Sequence, residues 1–407
     1  MTRYLGAAPG FLVAVDVPRG PTWLDVVADL WGEGAAILPL DARLTQRDRQ
    51  TILDRARPAS LVTPDDEVVF ADPAPPQPGR LGLVMSTSGT GGHPKLVELS
   101  RAAIVAALDG SFAALGHGPG VLDPSDPWVC CLSPAHIGGM LVLLRHVISG
   151  APVTVLDRLG LDPADPMLGV PQGAHVALVP TMLRRLIDGG VDLATLGTVL
   201  VGGAEIESDL VERAARLGGR VVTTYGLTES CGGIAYDGRL FEGTRARVSI
   251  DGRIELHGPT LMEGYRYDAA ATAAAFTLDG WLRTEDAGAV EPDGHLRVDG
   301  RADDAIRTGA ETVWPQEVEL ALRDHPKVAD VVVAGRSDPE WGQRVVAFVV
   351  PTDGDDPPGL EELRAFAAER IARFKAPKDV VLITDIPRTS SGKLRREALP
   401  GSPRSEA

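Results

Sequence analysis

Short apolar runs and one-sided helical stretches alternate through the first half of the chain. Residues 11–15 (FLVAV) are apolar, 22–31 are helix-like, 35–40 are apolar again, 45–56 are helix-like and 61–63 return to a β-prone run. This alternation predicts a parallel α/β sheet, because a strand covered on both faces reads as a continuous apolar run and its crossover helix as an amphipathic one. A Pro-rich stretch at 72–79 predicts a linker. Beyond it strands are expected at 128–132, 153–156, 175–179, 199–201 and 221–224, with helices at 137–148, 181–187 and 208–217. Thr181 and Ser208 open the last two as candidate N-caps.

After Cys231 the texture changes. Asp-Gly pairs at 237–238, 251–252, 279–280 and 293–294 punctuate short β-prone runs, the signal of tight hairpins, and predict a β-rich subdomain over about 234–299. Beyond Arg301 the pattern is α+β: a strand, a helix with Pro315 in its first turn, two strands, a helix at about 360–374 and a last strand before a basic tail. The expected architecture is an α/β domain of parallel-type sheets over 1–300, β-rich subdomain included, followed by a small α+β domain over 301–407.

Composition narrows the partners. A chain of 407 residues with 44% hydrophobic and 24% charged residues is long enough for two or three domains with large cores. Its net charge of −16 argues against a nucleic-acid or anionic-membrane partner, which needs a basic surface, so an anionic ligand must be held by a few local cations. The three cysteines, Cys130, Cys131 and Cys231, lack metal-ligand spacing, and adjacent Cys130 and Cys131 are expected on opposite faces of a strand. No apolar run is long enough to cross a bilayer, and the N-terminus shows no cleavage-site pattern, so a cytoplasmic protein without membrane insertion is expected; oligomeric state is left open.

The run MSTSGTGGHPK at 85–95 follows the apolar residues 81–84 and interleaves hydroxyls with glycines. Such a loop turns backbone N–H groups and hydroxyls toward one anion, which makes Thr87, Ser88, Gly89, Thr90 and Lys95 candidate phosphate-binding residues. It is not a Walker A loop, since Lys95 follows proline and precedes Leu96. On its own the run reads equally as a solvated Gly/Ser turn.

Six stretches in order resemble the adenylate-forming superfamily of acyl-CoA synthetases, adenylation domains and luciferases, over about residues 81–397. They are the MSTSGTGGHPK loop, YGLTE at 225–229, IELHGPTLMEGY ending at Tyr265, GWLRTED at 280–286, GRADDAIRTGAETVWPQEVE at 300–319 and PRTSSGKLRR ending at Arg396. The resemblance implies ATP, CoA and Mg²⁺ as cofactors, a small-molecule carboxylic acid as substrate, and a mobile C-terminal domain. It makes Tyr225 the adenine platform, Thr228 an α-phosphate contact, Glu229 the Mg²⁺ carboxylate, and Gly202, Gly203 and Ala204 a wall between adenine and acyl group. Asp286 and Arg301 would bracket the ribose hydroxyls, where the alternative is a surface salt bridge. Asp303 matches the hinge, Gly309 and Ala310 the loop at the CoA tunnel, and Lys393 the catalytic lysine, whose bland alternative is a solvated basic tail.

His136, in SPAHIGGMLVLLRH, stands where family members carry an aromatic or histidine that gates the acyl pocket; alone it reads as structural. Helical spacing from Gly138 puts Leu141 and Arg145 on one face, so Arg145 either points into that pocket or lies on the helix surface. Gly91, Glu285 and Ala310 depart from the family pattern. The short length, SPAHIGGMLVLLR and YGLTESCGG most resemble the 2-succinylbenzoate–CoA ligase branch of menaquinone synthesis, implying an acid–CoA ligase that works through an acyl-adenylate. Another aryl- or acyl-CoA synthetase, an adenylation enzyme loading a carrier protein, and a non-catalytic nucleotide-binding regulator are the alternatives.

Overall fold

The structure is a computed structural model that describes residues 4, 6–77, 79–87, 94–116, 126–156, 159, 167–204, 206, 208–309, 311–388 and 394–401. The chain forms two compact units, one of residues 1–247, 255–283 and 290–297, the other of 248–254, 284–289 and 298–407.

The first unit holds two seven-stranded sheets. One runs in the order Gly264–Tyr265, Lys95–Ser100, Leu81–Thr87, Ala36–Pro39, Leu12–Val15, Ser60–Val62 and Glu67–Val69. Its interior pairs are parallel, as the apolar runs imply, and both margins are antiparallel. The other runs Arg239–Leu240, Gly232–Tyr236, Arg220–Leu227, Thr198–Val201, His175–Leu178, Trp128–Cys130 and Val153–Val155, parallel except for its first two strands. The central strands are buried on both faces: Val13, Ala14, Val15 and Ile37 are inaccessible in the first sheet, Val129, Val176 and Val199 in the second. Cys130 directs its Sγ to the Gly139 carbonyl while Cys131 joins the cluster of Val176, Leu183 and Leu210, so the adjacent thiols do face opposite sides.

Helix ends follow local chemistry. Gln46–Ala56 is capped by Thr45, whose hydroxyl accepts from the Asp48 N–H at 3.1 Å. Helix Pro180–Asp188 corrects the expected Thr181 cap: Val179 is the N-cap and Pro180 the first helical residue. Proline suits that position because its fixed φ is already helical and it has no N–H to satisfy. The pattern reading overlooked Arg101–Ala114, which opens with Ser100 accepting from the Ala103 N–H at 3.1 Å and buries Ala103, Ile104, Ala107, Leu108 and Phe112. At Asp237-Gly238 both residues have positive φ, 45° and 75°, the mirror-type turn that an Asp-Gly hairpin needs.

The second unit contains a sheet ordered Glu311–Val313, Ile306–Thr308, Gly342–Pro351 and Val328–Asp338, with Asp379–Leu382 joined parallel to Gly342–Pro351. Its helix Pro315–Arg323 begins on the expected proline, whereas Leu360–Ala368 stops short of residue 374 and gives way to a 3₁₀ turn at Arg373–Lys375. Val331, Val333, Val345 and Leu363 lie in its core. Among the described residues, no helix is long and apolar enough to cross a membrane.

Candidate functional site

Strands Leu81–Thr87 and Lys95–Ser100 pair antiparallel with Thr87 opposite Lys95. The hydroxyl-rich run is therefore closed at its neck by a ladder, although Ser88, Gly89, Thr90 and Gly91 lie outside the described residues. The Lys95 ammonium sits 4.9 Å from the centre of the Tyr265 ring, an attractive placement for a cation on a π face. Tyr265 belongs to the short strand that continues this sheet, with Gly264 opposite Glu98 and Tyr265 opposite Val97. Its hydroxyl donates to Glu229 Oε1 at 2.9 Å, and the Met262 N–H donates to the Glu229 carbonyl at 2.8 Å. Burial, and then the Glu229 carboxylate, push the Tyr265 hydroxyl well above the usual tyrosine range, so it remains a donor.

The YGLTE motif spans the end of Arg220–Leu227 and the 3₁₀ turn Thr228–Ser230. Gly226 is required there, because a Cβ would lie 1.8 Å from the Gly232 carbonyl of the returning strand. The turn is pinned by fully buried Ser230, whose Oγ accepts from the Leu227 N–H at 2.8 Å and donates to the Gly232 carbonyl at 3.0 Å. Cys231 then takes a left-handed conformation, φ 57°, uncommon for a non-glycine residue. Tyr225, Thr228 and Glu229 are each half-buried. Gly202 lies against the same strand so closely that a Cβ would meet Thr224 Oγ1 at 2.1 Å, and Gly203 and Ala204 complete the turn. Among the described residues no three His, Cys, Asp or Glu side chains cluster to hold a metal. Glu229 beside Thr228 offers a carboxylate that fits Mg²⁺, which commonly binds one or two carboxylates together with substrate phosphates.

Asp286 and Arg301 are brought together, with a third member. Arg301 Nη1 lies 3.4 Å from Asp286 Oδ1, and Arg301 Nη2 donates to Glu285. Asp286 is buried, Glu285 half-buried and Arg301 exposed, so two carboxylates share one guanidinium. Asp303 lies in the 3₁₀ turn Ala302–Asp304 and accepts from Arg253 Nη2 at 2.5 Å. The next residue, Asp304, accepts from Arg396 Nη1 at 2.8 Å, and Arg396 Nη2 reaches Glu319 Oε1 at 2.8 Å. Burial raises the Glu319 carboxyl, and Arg396 opposes that shift. Arg388 bridges Leu394, and the Arg395 N–H donates to the Pro387 carbonyl at 2.9 Å. Lys393 and Ala310 lie outside the described residues; Gly309 has φ 64° and donates its N–H to the Trp341 carbonyl.

Helix Ile137–Ser149 carries the remaining candidates. His136 is its N-cap residue with the ring 54% exposed, and Arg43 Nη2 lies 3.2 Å from His136 Nε2. Arg43 is itself gripped by Asp41, Nη2 to Oδ2 at 2.6 Å and Nε to Oδ1 at 2.9 Å, which lowers the Asp41 carboxyl to about 2. Arg145 is not on the helix surface. It is 3% exposed, with its guanidinium 4.1 Å from the centre of the Trp128 ring and 5.2 Å from that of Phe112. Nη2 donates to Ser111 Oγ at 2.6 Å, Nη1 lies 3.4 Å from the Leu141 carbonyl, and Nε has no partner. Among the described residues no carboxylate pairs with this cation. Burial pulls its pKa down from the ordinary arginine value.

Sequence reasoning missed three of these groups. Tyr265 ended a recognised motif without a role, and Asp41 and Arg43 gave no local signal, because Arg43 meets His136 across 93 residues.

The sequence profile of the AMP-binding enzymes matches residues 65–266, and that of the AMP-binding enzyme C-terminal domain matches 317–393. The chain is 40% identical over 329 residues to a probable 2-succinylbenzoate–CoA ligase of Mycobacterium tuberculosis, covering 78% of this chain and 84% of that protein. It is 34% identical to a 2-succinylbenzoate–CoA ligase of Bacillus licheniformis over 78% of this chain and 69% of that protein. Among solved structures, the o-succinylbenzoate CoA synthetase of Bacillus subtilis in complex with its acyl-adenylate intermediate superposes with a TM-score of 0.83 at 25% identity, over 97% of this chain and 88% of that one. From these matches and the ordered motifs, the chain belongs to the AMP-binding enzymes of the adenylate-forming superfamily and is an AMP-forming acyl-CoA ligase.

Proposed function

We propose that the enzyme is a cytoplasmic, ATP-dependent 2-succinylbenzoate–CoA ligase of menaquinone biosynthesis. The observation that carries this reading is the 40% identity to a probable ligase of that name across 84% of its length. A substrate carboxylate attacks the α-phosphorus of ATP and displaces pyrophosphate; the CoA thiol then attacks the acyl-adenylate carbonyl and displaces AMP. Both steps depend on holding two reactants in line, which contributes roughly 7–11 kcal/mol where alignment is good.

The residues take these parts. Thr87, Ser88, Gly89, Thr90 and Lys95 hold phosphate, Tyr225 carries adenine against the Gly202–Gly203–Ala204 turn, and Asp286 with Arg301 takes the ribose. Thr228 contacts the α-phosphate and Glu229 supplies the metal carboxylate; Mg²⁺, when bound, offsets phosphate charge. Lys393 neutralises the reacting carboxylate and phosphate. His136 and Gly203 border the acyl group, and Arg145 faces the second carboxylate of the diacid. That last assignment gains support from burial: a guanidinium in the core that has no carboxylate partner among the described residues is unfavourable until an anion meets it. The domain from about residue 301 turns at Asp303 between half-reactions, exchanging Lys393 for the Gly309–Ala310 loop at the CoA tunnel.

A panel of carboxylic acids including 2-succinylbenzoate, read by mass detection of CoA esters, tests the substrate. The expected result is a 2-succinylbenzoyl-CoA product formed with AMP. Turnover confined to other acids would remove this assignment and leave only the reaction class.

A further inference from the structure

We infer that Tyr265 is the positioning residue for the metal carboxylate: its hydroxyl holds Glu229 Oε1 and leaves Oε2 as the oxygen directed to the cation. The inference rests on the reading of Glu229 as the Mg²⁺ carboxylate.

Three observations meet at this side chain. The hydrogen bond from Tyr265 Oη to Glu229 Oε1 is 2.9 Å, ordinary strong geometry to a charged acceptor. The backbone repeats the link, since the Met262 N–H binds the Glu229 carbonyl at 2.8 Å, so the segment ahead of Tyr265 and the turn of Glu229 are fastened twice. Tyr265 is also hydrogen-bonded in register to the strand that starts at Lys95, and the Lys95 ammonium lies over its ring. The neck of the phosphate loop, the tyrosine and the carboxylate are thus one rigid path.

The chemistry assigns the consequence. A carboxylate that ligates a metal has two oxygens and a rotatable torsion, and Mg²⁺ tolerates little departure from octahedral geometry. Engaging one oxygen with a fixed donor removes that freedom before the metal arrives, as outer hydrogen bonds do for metal ligands generally. Phenylalanine would keep the ring over which Lys95 sits and delete only the donor.

The test is binding rather than turnover, measured calorimetrically with ATP in EDTA and with ATP in excess Mg²⁺. Tyr265→Phe is expected to lose about tenfold or more in affinity for Mg·ATP, the scale of a hydrogen bond to a charged group, while metal-free ATP binds as before. Glu229→Gln should abolish the preference for Mg·ATP, and Tyr265→Phe combined with Glu229→Gln should bind no more weakly than Glu229→Gln alone. Equal losses with and without Mg²⁺, or an undiminished Mg²⁺ preference in Tyr265→Phe, overturn the role of Tyr265 while Glu229 keeps its own. A Glu229→Gln protein with wild-type Mg²⁺ preference overturns both. Thermal melting of Tyr265→Phe at the wild-type temperature confirms that the fold is not what is read.

Discussion

The two ends of one helix hold their charged groups in opposite ways. At the start of Ile137–Ser149, His136 is exposed and meets Arg43, which Asp41 already grips through two side-chain contacts. Further along, Arg145 is nearly inaccessible, stacked near Trp128 and Phe112, and among the described residues has hydroxyl and carbonyl partners but no carboxylate. A cation neutralised inside the protein has little left to offer a ligand. A desolvated one without a counter-charge is poised for an anion, and its cost in the free enzyme is offset only when one binds.

The largest expected effect comes from a third cation, Lys393, whose proposed work is confined to the transition state. Lys393→Ala should slow adenylate formation by ~10²–10³ and leave CoA transfer from supplied acyl-adenylate intact. Equal losses in both half-reactions, measured by pyrophosphate exchange and by thioester formation, would place Lys393 with the structural cations instead.

Arg145→Leu comes next. A charged hydrogen bond worth about 1.5–3 kcal/mol predicts a ~10–100-fold drop in kcat/KM for 2-succinylbenzoate, with ATP binding unchanged. Because an apolar side chain replaces an unpaired buried charge, the melting temperature should hold or rise, the reverse of what a structural arginine would show. A less stable protein with unchanged kinetics would break the comparison at its centre.

Arg43→Ala should do less, about two- to fivefold on acyl-acid turnover, since exposed pairs are worth only ~0.2–1 kcal/mol. The smallest effect is a pH dependence. The Arg43 guanidinium lowers the Asp41 carboxyl from 3.8 to about 2, so its contribution to stability is complete above pH 3.8 and disappears as pH falls toward 2. Acid unfolding followed by circular dichroism should therefore show a shallower slope between pH 4 and 2, by less than one proton, in Asp41→Asn. An identical slope would mean that the grip on Arg43 persists in the unfolded chain.

How far such features can be read from sequence depends on their range. The parallel interior of both large sheets was legible because runs such as residues 11–15 and 199–201 are apolar without alternation, which only a doubly covered strand demands. The ordered motifs singled out Tyr225, Glu229, Asp286 and Arg301; the structure sets Tyr225 in strand Arg220–Leu227, Glu229 in the turn after it and Arg301 at the end of Leu296–Arg301, but Asp286 in the middle of Leu282–Val290 rather than at a strand end. Arg101–Ala114 escaped because its alanines blur the helical stripe, and Thr181 was misread because Pro180 already supplies the start. The burial of Arg145 was illegible for a related reason: Met140, Leu141, Val142, Leu143 and Leu144 make the helix apolar on every side, so spacing alone names no inner face. The grip of Asp41 and Arg43 beside His136 and the bond between Tyr265 and Glu229 are tertiary meetings with no local pattern.

The three thiols have a practical bearing on the turning motion proposed at Asp303. Cys130, Cys131 and Cys231 are buried, and burial pushes each up to about 12, so practically no thiolate is offered to an alkylating dye at neutral pH. Fluorophores attached to two newly introduced surface cysteines would report distance changes during turnover without first stripping the native sulfur from the chain.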